Sequence, residues 1–181
     1  AAENSNLEMI YFLLSMPETL IYAFTFKNCT VLKRITVPQT TTQIGRSAFE
    51  GCSSLECIEI PQSISLINDS TFDGCSSLVK FTFPPSVTSI GYSSFRNCSS
   101  LKELSFPSSL QYIGWSSFSG CSSLISIIVP NSIKMIGYSV FSDCRSLTQI
   151  ALPPTMKIIP DSFFANCESL ETITIPPSVQ S

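Results

Sequence analysis

The sequence predicts a solenoid, a stack of short parallel strands contributed by successive copies of one unit, and three observations lead there. Cysteine recurs at Cys29, Cys52, Cys75, Cys98, Cys121, Cys144 and Cys167, an unbroken interval of 23 residues. Each of these has a phenylalanine three positions before it, from Phe26 to Phe164, and a leucine three positions after it, from Leu32 to Leu170. Proline keeps step at 38, 61, 84, 107, 130, 153 and 176, so the unit reads F-x-x-C-x-x-L-x-x-I-x-I-P-x-x-I-x-x-I-G-x-x-x. A unit of 23 residues cannot cover its own apolar face, so neighbouring units must stack to cover it.

The elements follow in order. "NLEMIYF" at 6–12 matches the strand pattern through Leu7, Ile10 and Phe12, with Asn4 where cysteine is expected. Leu7 to Leu32 spans 25 residues, so 1–25 forms an irregular first repeat and 26–181 holds seven regular repeats, the last incomplete. The whole chain, 1–181, is one domain. Within each repeat, Phe, Cys and Leu at intervals of three fit a turn of 3₁₀-like geometry. Asn28, Gly51, Gly74, Asn97, Gly120, Asp143 and Asn166 precede the cysteines, and these residue types tolerate left-handed backbone. L-x-x-I-x-I places its last two aliphatics on one face of a strand, and the proline that follows ends it. The position three residues past the proline varies (Ile64, Val87, Leu110, Ile133, Met156, Val179), with Thr41 as its polar member. Eight such strands roughly 4.8 Å apart make one parallel sheet.

Composition excludes several functions. With 44% hydrophobic and 13% charged residues the chain folds. A net charge of −3 with scattered basic residues argues against nucleic acid as a partner. Histidine is absent, which removes Ser/His/Asp and Cys/His catalysis and every zinc site that uses imidazole. The longest apolar run, "MIYFLL" at 9–14, falls far short of the roughly 20 residues of a membrane-spanning helix and lacks the basic flank and cleavage site of a signal peptide. Direct membrane insertion of this segment is not expected. The chain opens on Ala1 and closes on "IPPSVQS" in mid-repeat without a polar cap, which suggests a fragment or an end-to-end oligomer.

"FEGCSSLECIEIPQSISLIN" and "FSGCSSLISIIVPNSIKMIG" closely resemble the BspA-like leucine-rich repeats of bacterial and protist surface proteins. The likeness covers about 20–181. It implies a leucine-rich-repeat solenoid, a right-handed superhelix with one parallel β-sheet on the concave side and short turns or 3₁₀ segments on the convex side. It further implies display at the cell surface or secretion, a protein ligand from host or matrix, and no cofactor or catalytic residues. Pro160 departs from the pattern by standing where glycine is usual, and Phe163 by replacing a small residue.

The column of cysteines is expected inside the solenoid, where free cysteine packs as a small hydrophobe. The alternative is disulfides between adjacent coils, against which stand the parallel direction of side chains in one column and the odd number, seven. Zinc is disfavoured because no C-x-x-C pair occurs. Cys57 falls outside the column, facing outward, and the flanking Glu56 and Glu59 would discourage its thiolate. Those two carboxylates both face out only if Glu56 sits in the entry turn, and they are poorly placed for paired acid/base work. The phenylalanine column reads as a packed spine. No enzyme activity is expected.

The outward positions of the strands form the candidate binding face: Lys33, Arg34, Glu56, Cys57, Glu59, Val79, Lys80, Lys102, Glu103, Ile125, Ile128, Gln149 and Ala151. Its first half is charged. Its middle carries Ile125 and Ile128 as a small apolar patch beside Ala151, while Ile127 and Val129 point inward. Val140 and Phe163 make a second candidate. Asn28, Asn68 and Asn97 stand in N-x-S/T sequons and are candidate glycosylation sites. The reading is a non-enzymatic, adhesin-like binding module; the alternative is a structural stalk or surface coat with no specific ligand.

Overall fold

The computed structural model describes residues 20–180, so the expected first strand around 6–12 lies outside the described residues. The described chain is a parallel β-solenoid of about six turns that contains no helix. Each coil meets its neighbours along three runs of backbone hydrogen bonds, two of them β-ladders.

The first ladder uses the L-x-x-I-x-I segment, as expected. Numbered in chain order with the other strands, its members are β2 (Arg34–Thr36), β4 (Cys57–Glu59), β8 (Ser126–Ile128) and β10 (Gln149–Ala151). β2 pairs with β4 and β8 with β10, both in parallel. Between these pairs the ladder shrinks to a single bridge, Lys80 to Glu103. Side-chain volume accounts for the gap. In the coils that form these strands the two inward positions hold Ile35 and Val37, Ile58 and Ile60, Ile127 and Val129, or Ile150 and Leu152. The two middle coils put Phe81 and Phe83, then Leu104 and Phe106, in the same places. Phe81 and Phe83 pack edge-on at 4.9 Å and both press on Phe95, at 4.8 and 5.6 Å, filling the space that strand closure needs.

The sequence reading assigns one strand per repeat, and the structure adds a second. After the proline, a turn closed by bonds such as Leu110 N–H to Pro107 O leads into a two-residue strand ending on isoleucine. These strands are β1 (Leu20–Ile21), β3 (Gln43–Ile44), β5 (Leu66–Ile67), β6 (Ser89–Ile90), β7 (Tyr112–Ile113) and β9 (Met135–Ile136). β1 pairs with β3, and β5, β6, β7 and β9 form a four-stranded sheet. Two successive coils pair here where the later one carries glycine after its isoleucine, and do not where it carries another residue. Gly45, Gly91, Gly114 and Gly137 each donate N–H to the isoleucine carbonyl of the preceding coil, at 2.7 to 2.9 Å. A Cβ on Gly114 would lie 2.7 Å from Gly91 C, an approach only glycine permits. Asn68 occupies that position after β5, where pairing with β3 fails, and its Nδ2 donates to Ile44 O where the glycine N–H would. In the coil after β9 the position is held by Pro160, which has no N–H to donate to Ile136 O.

The third run joins the turns. Ser47, Phe49 and Gly51 donate N–H to the carbonyls of Asp69, Thr71 and Asp73, and the same pattern recurs coil after coil. It depends on left-handed backbone at two positions per repeat. The second, Asn28 to Asn166, is the expected one; the first is serine in six coils, Ser47 to Ser162, with φ of 51° to 55°. Turns expected to be 3₁₀-like are closed by bonds such as Cys52 N–H to Phe49 O and Leu55 N–H to Cys52 O, at 3.1 and 3.0 Å.

Inside lies a spine of phenylalanines from Phe26 to Phe141, stacked with centroids 5.1 to 5.8 Å apart and interplanar angles no larger than 24°. The spine shifts at its last step. Phe163 takes the buried place and meets Phe141 edge-on at 82°, leaving Phe164 only partly covered. Val140 and Phe163 are buried, so the second candidate binding pair is corrected: their column, with Ala48, Thr71, Ser94 and Ser117, faces the core.

Candidate interaction face

The cysteine column is built into the coil-to-coil bonding. From Cys52 onward each thiol of the column donates to the phenylalanine carbonyl of the coil before: Cys52 Sγ to Phe26 O at 3.0 Å, Cys98 to Phe72 at 3.2 Å, Cys121 to Phe95 at 3.2 Å, and so on to Cys167. The column from Cys52 to Cys167 forms no disulfide, so the core reading holds there and the disulfide alternative is set aside. Burial pushes the Cys52 and Cys121 thiols up to about 12 and raises Cys75, Cys98 and Cys144 strongly, because a thiolate there would lose its hydration without gaining a cation. Such thiols are poor nucleophiles. Among the described residues no group of three or more His, Cys, Asp or Glu is placed to hold a metal ion.

All thirteen residues of the candidate face are exposed, in the order read from the sequence. Ladder register sets Arg34 against Cys57, Lys80 against Glu103, and Ile128 against Ala151. Glu56 does lie in the entry turn before β4, with Arg34 Nη2 3.8 Å from its carboxylate, and the exposure of both side chains leaves that pair worth little. Ile125 is 50% and Ile128 72% exposed. The gap in the first ladder opens a cleft of about 470 Å³ lined by Lys80, Phe83, Glu103 and Phe106. Of the sequon asparagines, Asn28 and Asn97 are exposed in left-handed turns, whereas Asn68 uses its amide on Ile44 O.

A second exposed surface escaped the sequence reading. It lies outside the second ladder, where Leu66, Met135 and Ile158 point outward, and it carries a ladder of aromatics one position past the glycines. Tyr92 and Trp115 lie 5.3 Å apart and Trp115 and Tyr138 5.8 Å apart, all substantially exposed. Desolvation, together with a hydrogen bond to Tyr92, pushes the neighbouring Tyr112 phenol up to about 12. The signal that could have revealed this face was present: aromatics at 92, 115 and 138 repeat at the same interval of 23.

Coil geometry, the thiol ladder and the repeat unit meet in one comparison. The model of the BspA type leucine rich repeat region matches residues 3–99 and 67–181, with six copies. The chain belongs to the BspA-type leucine-rich repeat family. Among solved structures, a leucine-rich repeat protein of Bacteroides ovatus is 36% identical with a TM-score of 0.84, over 89% of this chain and 42% of its own. One from T. pallidum is 30% identical with a TM-score of 0.78, over 86% of this chain and 76% of its own. One from Eubacterium ventriosum is 27% identical with a TM-score of 0.65, over 82% of this chain and 40% of its own. The chain thus spans under half the length of the Bacteroides ovatus relative. No curated protein matches it significantly. Among the described residues no helix is long and apolar enough to cross a membrane.

Proposed function

We propose that this leucine-rich repeat scaffold is a non-enzymatic protein-binding module, displayed at a cell surface or secreted, that contacts host or matrix proteins through the outer face of its first ladder. The observation that carries the reading is Ile125 and Ile128, exposed aliphatics set beside Ala151 on a face whose other positions are mostly polar. An apolar patch rimmed by polar groups marks interaction surfaces. The flanking charges, Lys80 and Glu103 among them, supply steering and orientation rather than most of the affinity. Desolvated thiols and the missing histidine leave little machinery for catalysis among the described residues.

Capture by a panel of purified matrix and cell-surface proteins, measured by biolayer interferometry, tests this. The double substitution Ile125→Ser and Ile128→Ser is expected to weaken capture by about tenfold or more with an unchanged melting temperature. Unchanged affinity discards the patch, and a parent chain that captures nothing on the panel leaves the stalk or coat reading in its place.

A further inference from the structure

The geometry points to a second, independent binding site: the groove outside the second ladder docks an extended acidic peptide that carries a large apolar side chain. The groove encloses about 500 Å³ and lies between two successive coils, lined by Met135, Tyr138, Met156, Ile158 and the two lysines Lys134 and Lys157. Met135 and Ile158 are 62% and 68% exposed, a thioether and an aliphatic chain held out in solvent in neighbouring coils. Exposed large apolar groups converging on a concavity of this size fit the profile of a ligand site, and methionine adapts its shape to varied occupants.

Charge selects the occupant. Lys134 and Lys157 are the charged residues of the lining, one per coil in the same column, and no carboxylate lines the groove. Neither lysine is in any of the ion pairs found among the described residues. Asp161, one residue past the lining, is the nearest carboxylate in sequence. On a chain of net charge −3 this is a local reversal of sign, and two adjacent ammonium groups above an apolar floor match carboxylates spaced along an extended chain. A peptide suits the floor better than an anionic saccharide does. Sugars need many fixed polar partners, whereas the side chains facing this groove are mainly aliphatic, thioether and proline, with one threonine hydroxyl, one phenol and the lysines. The aromatic column extends the site, because Tyr138 lines the groove and stands 5.8 Å from Trp115.

Trp115 is the chain's single tryptophan, so its emission reports on occupancy without a label. The test titrates the whole chain with a synthetic peptide of alternating glutamate and leucine, alongside its lysine–leucine counterpart and a sulfated oligosaccharide. Saturable quenching or a spectral shift with the acidic peptide alone is expected, weakening with salt. The pair Lys134→Glu and Lys157→Glu should lower affinity about tenfold or more, and Met135→Asp should act in the same direction. The Ile125→Ser, Ile128→Ser variant should bind as the parent does, which separates this site from the first-ladder face. Circular dichroism of each variant confirms an intact fold. Absence of binding, equal response to the basic peptide, preference for the oligosaccharide, or affinity unmoved by lysine reversal would each overturn the proposal.

Discussion

The two ladders of this solenoid are broken in different places and for different reasons. The first fails in the middle, where Phe81, Phe83 and Phe106 replace the smaller aliphatics of other coils. The second is continuous through that same stretch, from β5 to β9, where its inward column is Ile67, Ile90, Ile113 and Ile136 without variation, and it stops where glycine gives way to Asn68 or Pro160. Strand pairing between coils therefore has two separate requirements: equal inward volume, so that one spacing suits every coil, and a backbone free of Cβ where coils touch most closely. The first ladder falls short of the volume requirement, and the second of the close-approach requirement. The array holds because the failures do not coincide.

The largest expected effect comes from the thiols in the turns that feed the first ladder. An unfolded chain gives up its thiol protons near pH 9.0, whereas Cys121 in the fold keeps its proton until about 12. Stability is then fully present below pH 9.0 and falls as pH climbs from there toward 12, on the order of 1 kcal/mol per pH unit for this one thiol. The other buried cysteines add to the slope. Urea midpoints measured from pH 7 to 11 should show the drop, and Cys121→Val should reduce its steepness; a flat profile would mean the column is open to solvent.

Next comes the glycine rule. Gly114→Ala is expected to cost about 1 to 3 kcal/mol in urea denaturation and to split the four-stranded sheet, since the new Cβ meets backbone that cannot swing away. A loss below about 0.5 kcal/mol would show that close approach is not what sets the ladder's limits. Thr41 sharpens the volume half of the comparison. Its hydroxyl is buried with no hydrogen-bond partner among the described residues, in a column otherwise apolar. Thr41→Val should therefore raise stability by about 1 kcal/mol, read as a higher melting temperature. The smallest readout, confined to two amides, is the most telling for the first ladder's gap. Replacing Phe83 and Phe106 by valine should let backbone pairing extend from the Lys80 bridge, so that hydrogen exchange at Thr82 and Ser105 slows relative to the neighbouring coils, while the lost ring contacts lower the melting temperature of the whole array.

Most of the architecture was legible because the sequence repeats it. Seven copies of Phe, Cys and Leu in register fix coil length, turn position and the strand before the proline, and the exposure of Lys33 through Ala151 follows from the period of two. The second ladder was not legible by periodicity, since two residues are too few to alternate. It was written in the glycine column instead, as a demand for close approach. Serine at the first left-handed position gave no warning, because an isolated serine has no strong preference for that backbone and accepts it here only through the third run of bonds. Val140 and Phe163 misled for a related reason: four small residues in a column suggest surface, yet Ser94 and Ser117 are small because their hydroxyls bond buried carbonyls such as Gly91 O. The aromatic face is hard to read because Tyr92, Trp115 and Tyr138 fill their column in three coils only, outside the leucine motif.

The thiol ladder also gives the molecule a set of native reporters. Every regular coil holds one sulfhydryl of the column, and from Cys52 to Cys167 each points back to the coil before and stays engaged while its coil is closed; the exposed Cys57 lies outside the column. The rate at which an alkylating reagent modifies each cysteine, resolved by mass spectrometry, thus measures how often that particular joint parts. Fraying from the ends would appear as a gradient in labelling, and rupture at the middle gap as a maximum near Cys98.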